Sequence, residues 1–223
     1  MVGKSKSKEE QEIVARESKL YHDLVQGDYK DSYKLLAYKA LNALYWVDKN
    51  CAHIPWTIHA DDDVMINDFR LITYLKYLES HKPETPSIYC HLFKRPKVMR
   101  RGKWKIPFKK FRNKFYPDYC LGPFWLMQTQ YIPRLLNSVN TTRFIWIDDV
   151  YITGLLAKNA GIDRVNMHDL AIDYSFKKDK YNKISWLSTN ENRFSWWNNI
   201  TKRYLHSNFT EITWIPFNLT SKT

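Results

Sequence analysis

The sequence predicts an α/β domain built on a mostly parallel sheet flanked by helices. Three observations lead there. Short apolar runs at Trp56–His59, Ser87–Phe93 and Phe124–Met127 alternate with longer stretches of helical periodicity. Two acidic clusters, Asp61–Asp63 and Asp148-Asp149, each follow an apolar run and precede a helical stretch. Finally, 223 residues at 44% apolar and 16% aromatic can bury one core and exclude a disordered chain.

The elements follow in order. Lys8 to Leu20 has helical spacing at Ile13, Val14 and Leu20. Asp23–Gln26 reads as a short strand with its turn at Gly27-Asp28. Asp31-Ser32 supplies an N-cap for a helix to about Asn50, whose one-sided stripe is Tyr33, Leu36, Ala37, Ala40, Leu41, Leu44 and Val47. After the strand Trp56–His59, Asn67-Asp68 caps a helix with its stripe at Leu71, Ile72, Leu75 and Leu78. Pro83 and Pro86 precede the strand Ser87–Phe93. A Cys-Leu-Gly-Pro turn at Cys120–Pro123 leads into Phe124–Met127, and Tyr131–Val139 forms a helix that tolerates Pro133 in its first turn. Val150, Ile152, Leu155, Leu156 and Ala160 mark a helix closed by Gly161. Beyond His168 the pattern weakens into an aromatic tail containing Trp186, Trp196, Trp197 and Trp214.

Composition narrows the chemistry. Six glycines argue against a glycine-rich nucleotide cradle. No window approaches eighteen apolar residues, and the charged start lacks the apolar core of a signal peptide. The expectation is a cytosolic protein or a piece of something longer. A net charge of +12 suggests an anionic partner. Most of the excess lies in Lys94–Lys114, readable as a solvated basic loop or as a phosphate-facing one. Cys51, Cys90 and Cys120 show no zinc spacing, and their pairing stays open. Sequons stand at Asn140, Asn199, Asn208 and Asn218, where chance gives about two. They point mildly to the secretory pathway.

The acidic clusters carry the functional expectation. In open α/β sheets ligands bind outside the carboxyl ends of the strands. Adjacent carboxylates there are tolerable around a hard divalent cation, Mg²⁺ or Mn²⁺, which also takes water and a diphosphate. In an extended segment Asp61 and Asp63 share one side and Asp62 faces the other. The plain structural readings are helix capping for the triplet and a favourable helix dipole for the pair.

Several motifs stand in one order: Asp31-Ser32-Tyr33, Leu36, Lys39, Trp46, Cys51, Asp61–Val64 with Asn67, Lys103-Trp104, Tyr116-Pro117 with Tyr119 and Gly122, and Asp148–Val150 with Gly154. Together, over about residues 23–162, they resemble the β-1,3-galactosyltransferase and N-acetylglucosaminyltransferase family. The resemblance implies a GT-A-like, Rossmann-related domain spanning 1–223. It would be N-terminally incomplete and lack its first strand, with a motif-bearing core at 23–162 and an aromatic extension at 163–223. It also implies an inverting enzyme that moves galactose or N-acetylglucosamine from a UDP-sugar to a glycan acceptor on glycoprotein or glycolipid, with Mn²⁺ or Mg²⁺, in the Golgi lumen. Membrane attachment would run only through an N-terminal anchor not in this chain.

By the same resemblance, Asp63 and Asp61 would hold the metal. Asp61, Asp62 and Lys39 would face the donor, and Asp149 would be the general base. Trp104, Tyr116, Tyr119, Gly122 and Asp148 would face the acceptor, the three aromatics with their apolar ring faces. The chain departs from the family at Gly122-Pro123-Phe124, where the glycine-rich pattern is lost. It departs again at Ile184–Leu187, which lacks the late histidine of the metal shell, while His168 lies earlier. These departures keep open a degenerate transferase that binds without turnover. A nucleic-acid surface at Lys94–Phe115 is the reading from another class, but it leaves both acidic clusters unexplained and no nucleic-acid partner is expected.

Overall fold

The computed structural model describes residues 1–81, 85–167, 184–187 and 197–202. His168, Trp196, Trp214, Asn208 and Asn218 lie outside them.

A short strand stands ahead of the first helix. β1 (Val2–Lys4) pairs in parallel with β2 (Gln26–Lys30) across α1 (Lys8–Tyr21). The Ser7 hydroxyl caps α1 by accepting from the Glu10 N–H, Glu9 and Glu10 suit the positive end of its dipole, and His22 ends it in the left-handed region. β2 starts later than expected, so Gly27-Asp28 is strand and not turn. Asp31 does not cap the next helix. Its carboxylate accepts the Gly3 N–H at 3.0 Å, tying β1 to β2, and Ser32 makes no cap bond. A 3₁₀ turn at Tyr33–Leu35 therefore starts α2 (Leu36–Asn50).

The main sheet holds β3 (Trp56–Ala60), β6 (Tyr119–Gln128), β5 (Ser87–Phe93) and β7 (Asp163–Asn166) in that spatial order. β3, β5 and β7 share one direction, as a mostly parallel sheet requires. The pairing is nevertheless mixed, because β6 runs antiparallel between β3 and β5 and only β5–β7 is a parallel pair. The turn expected at Cys120–Pro123 lies inside β6. Cys90 faces Trp125 but Leu92 faces Cys120, so Leu121–Phe124 bulges where β3 has already ended opposite Phe124. Pro123 lacks an N–H and is tolerated in a central strand at such a bulge.

Alternation buries the sheet on both faces. Ile88, Cys90, Trp125 and Met127 pack with α2, α4 (Ile132–Asn137) and the helix after Asp149. Tyr89, Phe124 and Leu126 pack with Leu71, Tyr74 and Leu78 of α3 (Asp68–His81). Asn67 caps α3 as expected, its side-chain oxygen accepting from the Arg70 N–H, whereas Ile72 turns outward. A disulfide joins Cys90 to Cys120, and Cys51 is free. The run Phe144–Ile147 is not a strand. It leads into a π-helix, Val150–Leu156, then α5 (Ala157–Asn159), with Gly161 at φ +60° closing the turn. Part of the segment read as an extension joins the core, as β7 and as β8 (Ser185–Leu187) antiparallel to β4 (Val64–Ile66).

Candidate functional site

The acidic triplet leaves β3 in a tight turn, with the Val64 N–H bonded to the Asp61 carbonyl at 3.1 Å. It is not extended, so the strict alternation of side chains does not hold. Asp62 and Asp63 are exposed, and the Asp61 side chain is 51% exposed. Burial raises the Asp61 pKa, the charges of Asp63 and Asp62 raise it further, and Lys39 of α2 opposes them. The structure thus brings Lys39 to the triplet.

Asp148 and Asp149 open the helix on the other side of the bulge. Asp148 is raised by burial and by Asp61, while His59 opposes the shift. Asp148 thus lies within electrostatic reach of Asp61 and His59. Asp149 is pushed up to about 7, first by burial and then by Asp148; the backbone N–H groups of Val150 and Gly122 work the other way. The Val150 N–H donates to its Oδ1 at 2.7 Å. Gly122 lies so close that a Cβ there would sit 3.4 Å from the Asp149 Cβ. The bulge of β6 touches both clusters, since the Pro123 carbonyl accepts the Asp61 N–H at 3.0 Å.

His59 joins the clusters, and the motifs gave no hint of it. Its ring stacks on Trp125 at 4.9 Å and 5°, and its Nε2 lies 3.8 Å from Asp61 Oδ1. Burial lowers its pKa, against the pull of Asp148. The pairing that places it is the cross-strand register of β3 on β6, His59 opposite Trp125, which the sequence alone does not give. Thr153 was also missed. Its hydroxyl donates to the Asp149 carbonyl at 2.6 Å and accepts the Cys120 N–H at 2.9 Å, binding the π-helix to β6. A Cβ on Gly154 would come within 3.1 Å of the Tyr119 Cβ, so glycine lets that helix approach.

The expected acceptor aromatics differ in what they offer. The Tyr116 ring is buried against Phe111 and Tyr119, so it has no open face for a sugar. Its hydroxyl has no hydrogen-bond partner among the described residues and is pushed up to about 12, chiefly by burial, with Arg100 opposing and Asp149 adding to the shift. Tyr119 is half-buried between Phe93 and Tyr116. Trp104 is exposed, and its indole N–H donates to the Tyr33 hydroxyl at 2.9 Å. Tyr33 in turn lies 6.0 Å from Trp146, two residues before Asp148.

The triplet offers the oxygen donors that a hard divalent cation takes. Its donors are carboxylate oxygens whose mutual repulsion Lys39 partly relieves at Asp61. No three His, Cys, Asp or Glu side chains among the described residues gather into a full coordination set. Water and diphosphate oxygens would complete the shell, as Mg²⁺ prefers. Ile184–Leu187 does run beside the turn, through β8 on β4 and the Asn67 N–H to the Ile184 carbonyl, but it carries no histidine.

The Galactosyltransferase family model matches residues 1–168. The chain belongs to the galactosyltransferase family. It is 30% identical to the rat lactosylceramide 1,3-N-acetyl-beta-D-glucosaminyltransferase over 159 residues, which is 70% of this chain and 42% of that protein. It is 30% identical to the rat UDP-GlcNAc:betaGal beta-1,3-N-acetylglucosaminyltransferase 7 over 144 residues, 64% of this chain and 36% of that one. With the human beta-1,3-galactosyltransferase 2 it shares 28% over 151 residues, 66% and 35% of the two chains. The chain spans about two fifths of the length of these relatives. No helix among the described residues is long and apolar enough to cross a membrane.

Proposed function

We propose that this galactosyltransferase domain is an inverting enzyme that moves a hexose, galactose or N-acetylglucosamine, from a UDP-sugar to a hydroxyl of a glycan in β-1,3 linkage. The observation that carries the reading is Asp149, a carboxylate lifted to about 7 beside Gly122 and across the β6 bulge from the acidic turn. A group of that pKa takes a proton at neutral pH and is still half ionised there. Asp149 would remove the acceptor hydroxyl proton as that oxygen attacks the anomeric carbon, opposite the departing UDP.

Asp63 and Asp61 would hold Mn²⁺ or Mg²⁺, whose charge offsets that of the leaving diphosphate. Lys39 and Asp62 flank the donor side. The glycan acceptor would sit on a glycoprotein or glycolipid. The Cys90–Cys120 disulfide and an exposed sequon at Asn140 support a Golgi lumenal setting.

The test is transfer from UDP-galactose and from UDP-N-acetylglucosamine, with Mn²⁺, to a panel of β-linked acceptors. Asp149→Asn should keep Mn²⁺-dependent UDP affinity and lose about 10²–10⁴-fold in turnover. Undiminished turnover rules Asp149 out as the base. UDP binding without turnover on any acceptor would favour a binding protein of the same fold.

A further inference from the structure

Lys94–Lys114 holds seven lysines, four arginines and no acidic residue, a local charge of +11 in a chain of +12. None of the eleven pairs with a carboxylate among the described residues. The segment is nevertheless built. Val98 and Ile106 are buried, the Val98 N–H bonds to the Lys114 carbonyl at 3.0 Å, and the Ile106 N–H bonds to the Met99 carbonyl at 2.8 Å. The Arg100 guanidinium donates to the carbonyls of Ile106 and Asn113 at 2.9 and 2.8 Å. Held in place, these cations repel one another, and an anionic partner would relieve that repulsion.

Cations also lie over the exposed rings. Lys103 is 4.4 Å from the Tyr33 ring centre and 5.2 Å from that of Trp104. Arg100 covers Phe108 at 5.3 Å, and Arg95 and Lys114 approach Phe115 at 5.7 and 5.6 Å. The segment is irregular and not an amphipathic helix with one apolar face, the form that lies in a lipid interface. A long polyphosphate, with a charge at every residue, would meet the acidic clusters next door. A glycan is different, because its charges are spaced by apolar ring faces. The segment returns through Tyr116 to β6, and Trp104, Tyr33 and Trp146 form a track that ends two residues before Asp148.

We propose that Lys94–Lys114 binds an anionic stretch of the acceptor, a glycan carrying sulfate or carboxylate groups, while the acceptor's terminal hydroxyl reaches Asp149. This rests on the transferase reading above. The test uses a labelled heparin-derived hexasaccharide, its desulfated counterpart, a ten-residue oligouridylate and phosphatidylserine vesicles, without donor or metal. The sulfated sugar should bind at least about tenfold tighter than each of the others and weaken steeply with salt, as counterion release requires. Arg101→Ala with Lys103→Ala should reduce that binding about tenfold, whereas Lys19→Ala on α1 leaves it unchanged. Equal affinity for the desulfated sugar, tighter binding of RNA or vesicles, or an unaffected double variant overturns the proposal. A parallel titration with UDP and Mn²⁺ separates the two readings. UDP bound without the sulfated sugar defeats only this inference, whereas the sulfated sugar bound without UDP defeats the transferase reading and leaves an anionic-glycan site.

Discussion

Asp149→Asn should stabilise the folded chain, and by an amount set by pH. Below about pH 3 the carboxyl is protonated in folded and unfolded chains alike, so the substitution is nearly silent there. Between its ordinary 3.8 and its folded value of about 7, the folded chain keeps a proton that the unfolded chain releases. The native protein therefore loses stability as pH rises through that window. A shift of this size corresponds to about 4 kcal/mol. Asp149 is half-buried, and solvent screening brings the expectation to about 2 kcal/mol. An Asn side-chain oxygen can still accept from Val150, so no hydrogen bond need be lost. In a chain of this size the gain is about 4–8 °C in Tm. Thermal unfolding of both proteins in EDTA, from pH 4 to 8.5, reads it directly. The two Tm curves should lie close together at pH 4 and part progressively up to pH 7. A constant offset, or a variant less stable at pH 8, would mean that Asp149 is not held against its charge.

Replacing Cys90 and Cys120 by serine should cost about 3.5 kcal/mol, from the entropy of opening a loop whose ends are 30 residues apart. Differential scanning calorimetry should then show a fall of about 7–14 °C. Thr153→Val keeps the shape but strips the buried Cys120 N–H of its acceptor, a loss of about 1–3 kcal/mol in urea unfolding that Thr153→Ser should largely restore. Asp63→Ala should weaken Mn²⁺-dependent UDP binding by more than about tenfold in calorimetry, since changes outside the first coordination shell alone reach that size. Unchanged affinity would remove Asp63 from the metal site.

Much of the site was legible because its residues break local rules in sequence. Three carboxylates after an apolar run are unfavourable side by side, and that conflict marks Asp61–Asp63 without any knowledge of the fold. Asp149 was legible by its motif, but its elevated pKa was not. That value arises from burial and from the charge of Asp148, against hydrogen bonds from Val150 and Gly122, and Gly122 stands on a strand 27 residues earlier. The turn read at Gly122-Pro123 failed for a related reason. Glycine and proline mark a break in regular pairing, and the break here is a bulge within a continuous strand, a distinction that only the partners β3 and β5 can make. Asp31 failed in the same manner, because its capping geometry lost to a hydrogen bond with Gly3, far away in sequence.

The bulge is also why the two acidic clusters can cooperate. Had β6 run regularly, Gly122 and Pro123 would pair with β5 and leave no irregular backbone at the edge of the sheet. Instead the Pro123 carbonyl receives the Asp61 N–H, and Gly122 brings the same backbone against Asp149. One residue step in β6 thereby separates the group read as donor-facing from the group read as the base. His59, stacked on Trp125 of that same strand, senses both sides through Asp61 and Asp148. The substitution of proline into the family's glycine-rich pattern therefore falls where the chain needs a carbonyl from position 123 and no N–H, so Pro123 alone is no reason to expect an inert enzyme.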